Sequence, residues 1–352
     1  MATTYKTFLN NDITTTRTLL HEAIPITGSI VSGTYADANI KEYTADLFEG
    51  VYDYPYLSSS ANHIFDITCG YSPNSPLSAS ALADGITTAQ DRKNKINMYN
   101  EMAKVLVGHD ITGSIQEFDQ DGNISGGGPK IQEAYFLNFA RLLTKDEFKK
   151  ETFLLTLGSG TTYAAPFDVT TVISDYGAAN EFRVNSPAGE YGILYSGSAA
   201  VEGTGVGLLY YQAGVAVLTA SVFGLPDAVT PLGFDEDDQR VEAVLSGSSI
   251  TDNANDLRHR FENLEFNNTT ELNSTIYFCR VNHNEFNYSS NPTYLSSSQI
   301  VVKSQTTDAP ISFITTVGLY AADNELLGVA KLSEPLKKDP NNELILRVRL
   351  DY

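Results

Sequence analysis

The stretch FDQDGNISGGG places Asp119, Asp121, Asn123 and Ser125 at alternate positions. By that spacing a turning loop gathers oxygen ligands around a hard cation such as Ca2+. The opening imitates an EF-hand loop, but its sixth position is Ile124 where the sharp turn needs glycine. Its twelfth is Lys130 where a bidentate glutamate would close the cage. Asp119, Asp121 and Asn123 are therefore the metal candidates, and a hairpin tip rich in turn residues is the competing explanation. The run Asp235-Glu236-Asp237-Asp238 could also collect a cation, yet four consecutive acids beside Arg240 read as a solvated loop.

Other chemistry finds little to stand on. His21, His63, His109, His259 and His283 show no metal-ligand spacing, and each reads as a polar surface or loop residue. EGTGVG, residues 202–207, has the wrong glycine spacing for a dinucleotide fingerprint and precedes a β-like run instead of a helix. No GxxxxGK[ST] phosphate loop and no GxSxG nucleophile elbow occur. Acid–base catalysis needs two carboxyls with opposed environments, and the sequence singles out no such pair. The expectation is a protein without catalytic residues and without a cofactor.

Cys69 and Cys279 lie far apart in the chain, open to a long-range disulfide or to two free thiols, and a reducing cytosol favours the thiols. A net charge of −20 argues against nucleic acid and anionic membrane surfaces as partners. Charged residues make up 19 %, so the surface leans on Ser, Thr, Asn and Gly, the usage of β-rich and loop-rich proteins. The start, MATTYKTFLNND, has no apolar run of signal-peptide length, and GVAVLTASVFGL (214–225) is too short to span a bilayer.

The elements that would position any site divide the chain into three. Residues 1–60 sustain no helical period and read as an extended N-terminal arm. Residues 61–260 form a mixed body. In it AQDRKNKINMYNEMAKVLVG sets Ile96, Tyr99, Met102, Ala103 and Leu106 on one helical face, with Gly108 as the stop. Residues 136–158 suit helix or strand, and 160–250 carry Gly-rich β-like runs. Residues 261–352 read as an antiparallel β module. The expected class is α+β, β-dominated, with antiparallel sheet or sandwich domains and a few helices near 89–150.

In SFITTVGLY, alternation puts Phe313, Thr315, Val317 and Leu319 on one face and Ile314, Thr316 and Tyr320 on the other. Ala321 to Asn324 form the connection, and the chain returns through Leu326 to Leu332. ELILRVRL then alternates Leu344, Leu346, Val348 and Leu350 against Ile345, Arg347 and Arg349. Three antiparallel strands with one apolar face follow, a module that the rest of the chain or another subunit must cover. Phe313, Val317, Leu319 and Tyr320 are the candidate docking residues.

ITTVGLYAADNELLGVAKLSEP resembles a hairpin motif of tailed-phage tail and baseplate proteins, found in domains that attach fibres. NKINMYNEMAKVLVGHD (94–110), FLNFARLLTKDEFKKETFLLTLG (136–158) and IYFCRVNHNEFNYSSNPTY (276–294) are similar to virion structural proteins of T4-like myophages of marine cyanobacteria. The resemblance runs from about residue 60 onward. It implies a non-enzymatic virion component, near the tail, baseplate or fibre attachment, made in the host cytoplasm. Its partners would be other phage structural proteins and copies of itself. A receptor- or carbohydrate-binding protein, or a glycan hydrolase, is the alternative. Stacking aromatics exist for it, but Trp is absent.

Overall fold

The computed structural model describes residues 5–20, 37–78, 89–124, 126–144, 146–160, 162–201, 203–223, 233–237, 239–288, 295–296, 299–300, 307 and 310–352. In chain order the first strands are β1 (Ile13–Leu20), β2 (Ile40–Glu42), β3 (Glu49–Tyr52), β4 (His63–Tyr71), β5 (Phe118–Asp119), β6 (Lys130–Ile131) and β7 (Glu133–Asn138). Then come β8 (Glu147–Phe148), β9 (Leu154–Gly158), β10 (Thr170–Ser174), β11 (Arg183–Ser186), β12 (Gly189–Ser196), β13 (Gly205–Tyr210) and β14 (Val215–Thr219). The last are β15 (Phe261–Glu265), β16 (Asn268–Val281), β17 (Leu295–Ser296), β18 (Gln299–Ile300), β19 (Ser312–Tyr320), β20 (Leu326–Lys338) and β21 (Leu344–Asp351). The helices are α1 (Ala89–Leu106), α2 (Ala140–Leu143), α3 (Ala178–Glu181), α4 (Val241–Gly247) and α5 (Ile250–His259). Strand outweighs helix, 42 % to 19 %, so the class is α+β and β-dominated, with large antiparallel sheets.

The chain forms two compact units: a body of residues 20–270, and a terminal unit built from residues 1–19 and 271–352. The boundary falls inside β16, whose first residues, Asn268 and Thr269, pair with β8 in the body. The described residues of 1–60 do not build a separate arm. β1 joins the terminal sheet beside β16, while β2 and β3 extend the body sheet from β4. Ile40 and Val51 are buried in the body core. Segments of three and four residues are too short to display a period, so their strand character is set by tertiary pairing.

The body sheet runs β15-β9-β10-β12-β13-β14-β7-β4-β3-β2, with β11 beside β12. Its central strands read as continuous apolar runs because both faces are covered. On β7 and β14, Tyr135, Leu137, Ala216 and Leu218 enter one core, shared with Val244, Leu245, Ala254 and Leu257 of α4 and α5. Ala134, Phe136, Val215 and Val217 enter the other, shared with Tyr99, Ala103 and Leu106 of α1. The α1 stripe read from the sequence is thus the face that packs, and Gly108 ends the helix at φ +90° with its amide on the Ala103 carbonyl. At Gly70 of β4, an added Cβ would collide with the Lys95 carbonyl and the Tyr99 amide of α1, so glycine sets how closely helix and sheet approach. Residues 136–158 resolve into strand, one helical turn and strand; α4 and α5 lie outside the span where helices are expected.

In the terminal unit, β21 does not join the hairpin. It pairs with β16, Ser274 opposite Asp351 through Val281 opposite Leu344, and β19 and β20 form their own two-stranded sheet. This register puts Tyr277, Cys279 and Val281 opposite Val348, Leu346 and Leu344, so the inward faces match and the arginines point away. The hairpin face also departs from simple alternation. Between Ile314 and Thr316 the pairing jumps from Leu336 to Lys331, and a bulge on β20 containing Pro335 interrupts the ladder. Coverage changes parity there: Ser312 and Ile314 are covered before it, Val317 and Leu319 after it. Phe313 therefore falls on the open side. The connection is as expected, with Asn324 at φ +70°.

Candidate functional site

Asp119 and Lys130 are cross-strand partners on β5 and β6, which brings the two ends of the acidic loop together. One carboxylate oxygen of Asp119 accepts the amides of Asp121 and Asn123 at 3.0 and 3.1 Å, and Asp121 accepts the Asn123 amide at 2.8 Å. The other Asp119 oxygen lies 2.5 Å from the Lys130 ammonium, which also donates to the Ile124 carbonyl at 3.2 Å. A tethered ammonium thus sits among the oxygens that a metal would need. Burial pushes the Asp119 carboxyl up, but its hydrogen bonds to Asp121 and Lys130 outweigh burial and hold it below the ordinary range. Asp121, hydrogen-bonded to that carboxylate, is pushed up. The loop gathers Asp119, Asp121 and Asn123 as the spacing suggests; Ser125 lies outside the described residues. Among the described residues no group of three or more Asp, Glu, His or Cys is arranged to hold a metal.

The remaining sequence candidates stay apart. Asp235 accepts the Gln239 amide at 2.7 Å while Glu236 and Asp237 face solvent, and Asp238 lies outside the described residues. His63 departs from a surface role: it is largely buried at the start of β4, 2.6 Å from Asp66 and edge-on to Tyr52. His259 stacks on Tyr163 with ring centroids 4.1 Å apart, and burial lowers its pKa. His109 is exposed, His283 meets Glu343 at 3.2 Å, and His21 is outside the described residues. Cys69 and Cys279 are free thiols.

Sequence reasoning missed the buried ionisable groups of the body. Glu49 is fully buried, and neither carboxylate oxygen has a hydrogen-bond partner among the described residues. Burial pushes it up to about 8, opposed by Arg258 and reinforced by Glu42, Asp252 and Asp256. Burial likewise raises Asp256 to about 7. Asp175 rises to about 6 for the same reason, although it accepts the amides of Glu151 and Phe153 and the Tyr211 hydroxyl. Lys95 is fully buried and donates to the Leu245 and Ser248 carbonyls at the end of α4. Nothing in local sequence marks these positions, since each is defined by what a distant element places over it.

A recess of about 380 Å³ is lined by Glu151, Thr152, Phe153, Leu154, Ser174, Tyr176 and Gly177, with Glu151 its one carboxylate. Asp175, between Ser174 and Tyr176 of the lining in sequence, spends its carboxylate on the hydrogen bonds just described.

The terminal unit presents the other arrangement. Its buried apolar side chains among the described residues are Val281, Leu319 and Val348, and neither hydrophobic core contains a residue of this unit. More than half of the exposed large apolar side chains of the described residues belong to it. Leu9 is 68 % exposed, Leu327 66 %, Ile345 61 % and Val329 54 %. The candidate docking residues split accordingly. Leu319 is buried and Val317 half-buried, while Phe313 and Tyr320 are exposed, Tyr320 lying against Tyr5 at 4.7 Å between ring centroids. Exposed apolar clusters of this kind are a common feature of interaction surfaces.

No helix among the described residues is long and apolar enough to cross a membrane. Comparison with protein-family models, with curated proteins and with solved structures finds no match to this chain.

Proposed function

We propose that this chain is a non-enzymatic structural subunit that works by protein–protein docking in a tailed-phage virion, in the tail, baseplate or fibre-attachment region. The observation that carries the docking half is the terminal unit, which among the described residues holds more than half of the exposed large apolar side chains and contributes none to the cores. The virion half rests on the resemblance of the hairpin and the three upstream segments. The lysine-closed acidic loop agrees with a structural role, because its charges are satisfied internally.

Co-sedimentation with purified tail fractions tests the reading. The chain is expected to travel with tails, and Leu327→Asp with Val329→Asp on β20 is expected to abolish that while leaving the body folded. A chain that ignores tails and instead binds cell-surface polysaccharide would overturn it.

A further inference from the structure

We propose that the terminal unit docks onto a second copy of this chain, through antiparallel pairing of β1 with β1 across a two-fold axis. The inference rests on the reading of the chain as an assembly subunit and names one partner.

β1 is the last strand of the order β1-β16-β21, and β16 is its strand partner among the described residues. One row of its backbone donors and acceptors therefore faces away from the sheet. Every residue from Ile13 to Leu19 is exposed, so both faces of the strand lie open as well. The strand has no proline and a single charge, Arg17, which is ion-paired with Glu271, so little on it keeps the edge from pairing.

Its sequence is self-complementary in one register. In a sheet continued across a two-fold axis, opposed residues must share a face, so the axis passes through a residue paired with itself. With Thr16 at the axis, Thr14 meets Thr18, Thr15 meets Arg17, and Ile13 meets Leu19 of the copy. These are β-branched and aliphatic cross-strand pairs, with no charge opposite a like charge. Moving the axis to Arg17 would place arginine against arginine. The other edge strand fails the same test: on β21 the two registers that pair nearly its whole length set Arg347 opposite Arg347 or Arg349.

Charge is partitioned to suit. Residues 1–19 and 271–352 hold nine basic and ten acidic side chains, whereas 20–270 hold fourteen basic and thirty-three acidic. Two copies meeting at β1 meet at the nearly neutral unit, where like-charge repulsion is least.

Sedimentation of the full chain tests this. The wild type is expected to run as a dimer. Thr16→Lys and Thr16→Asp are each expected to run at half that mass, and an equimolar mixture of the two is expected to recover the dimer, because position 16 faces itself. Thr16→Cys should form an intermolecular disulfide on mild oxidation, and Thr18→Cys should not, since it would face position 14. A wild-type dimer unaffected by Thr16→Lys, or crosslinking equal at positions 16 and 18, overturns the pairing. A wild-type monomer that still joins purified tails overturns the pairing and leaves the assembly reading standing; a monomer that joins none overturns both.

Discussion

Glu49, Asp256 and Asp175 bind protons more tightly in the folded chain than a free carboxyl does, and that sets how stability responds to pH. Each has a folded pKa above its ordinary value: about 8, 7 and 6 respectively. Their stabilising contribution is fully present below the ordinary carboxyl range and is lost as pH rises through those values. The urea midpoint is therefore expected to fall between pH 5 and pH 8.5, and Glu49→Gln is expected to recover on the order of 3 kcal/mol at the alkaline end. A flat profile would contradict the burial of these groups. Lys130 acts in the opposite sense. Lys130→Gln leaves Asp119 without its counter-charge and is expected to cost about 3 kcal/mol. Millimolar Ca2+ should return part of that loss in the variant and shift nothing in the wild type, as thermal unfolding would show. The loop was legible at this scale because its letters are local. Glu49 was not, because in EGVY nothing announces that α5 lies over it.

Elements were legible where one face decided the pattern. In α1 the three- and four-residue steps matched the packed stripe, and Gly108 marked the end. α5 carried its own signal, since Ser249 and Asp252 form a capping box ahead of Ile250, Ala254 and Leu257, which are buried. Ser249→Ala is expected to cost about 1 kcal/mol. Gly70→Ala, which drives a methyl into the backbone of α1, is expected to cost about 3 kcal/mol, and chemical denaturation would rank the two. Strand partners were harder. Alternation in ELILRVRL gives the inward face, which the structure keeps, but it cannot say whether the neighbour is β20 or β16. The hairpin face was misread for a related reason. Reading one strand assumes that a single face is covered along its whole length, and on β19 the covered face changes where the ladder shifts register.

The two units of the molecule divide its physical labour. The body holds both cores and most of the negative charge; the terminal unit holds three buried apolar side chains among the described residues and almost no net charge. Hydrogen exchange of the isolated chain is expected to be fast in β1, β19, β20 and β21 and slow in β4, β7 and β14, with the terminal strands slowing upon assembly. Equal protection of both units in the free chain would argue that the terminal strands need no cover. Because each copy carries −20, association through β1 should strengthen as salt rises toward the screening regime, the reverse of a basic interface.

The terminal unit is made from both sides of the body, and this orders its manufacture in time. β1 leaves the ribosome first, yet its sheet partner β16 lies roughly 250 residues later, a delay of about 12–50 s at ordinary elongation rates. During that interval most of both cores is synthesised, and the last core residues, Phe261, Leu264 and Phe266, arrive just ahead of β16. The terminal sheet therefore closes last, and a chain stalled before β16 leaves β1 without its sheet partner.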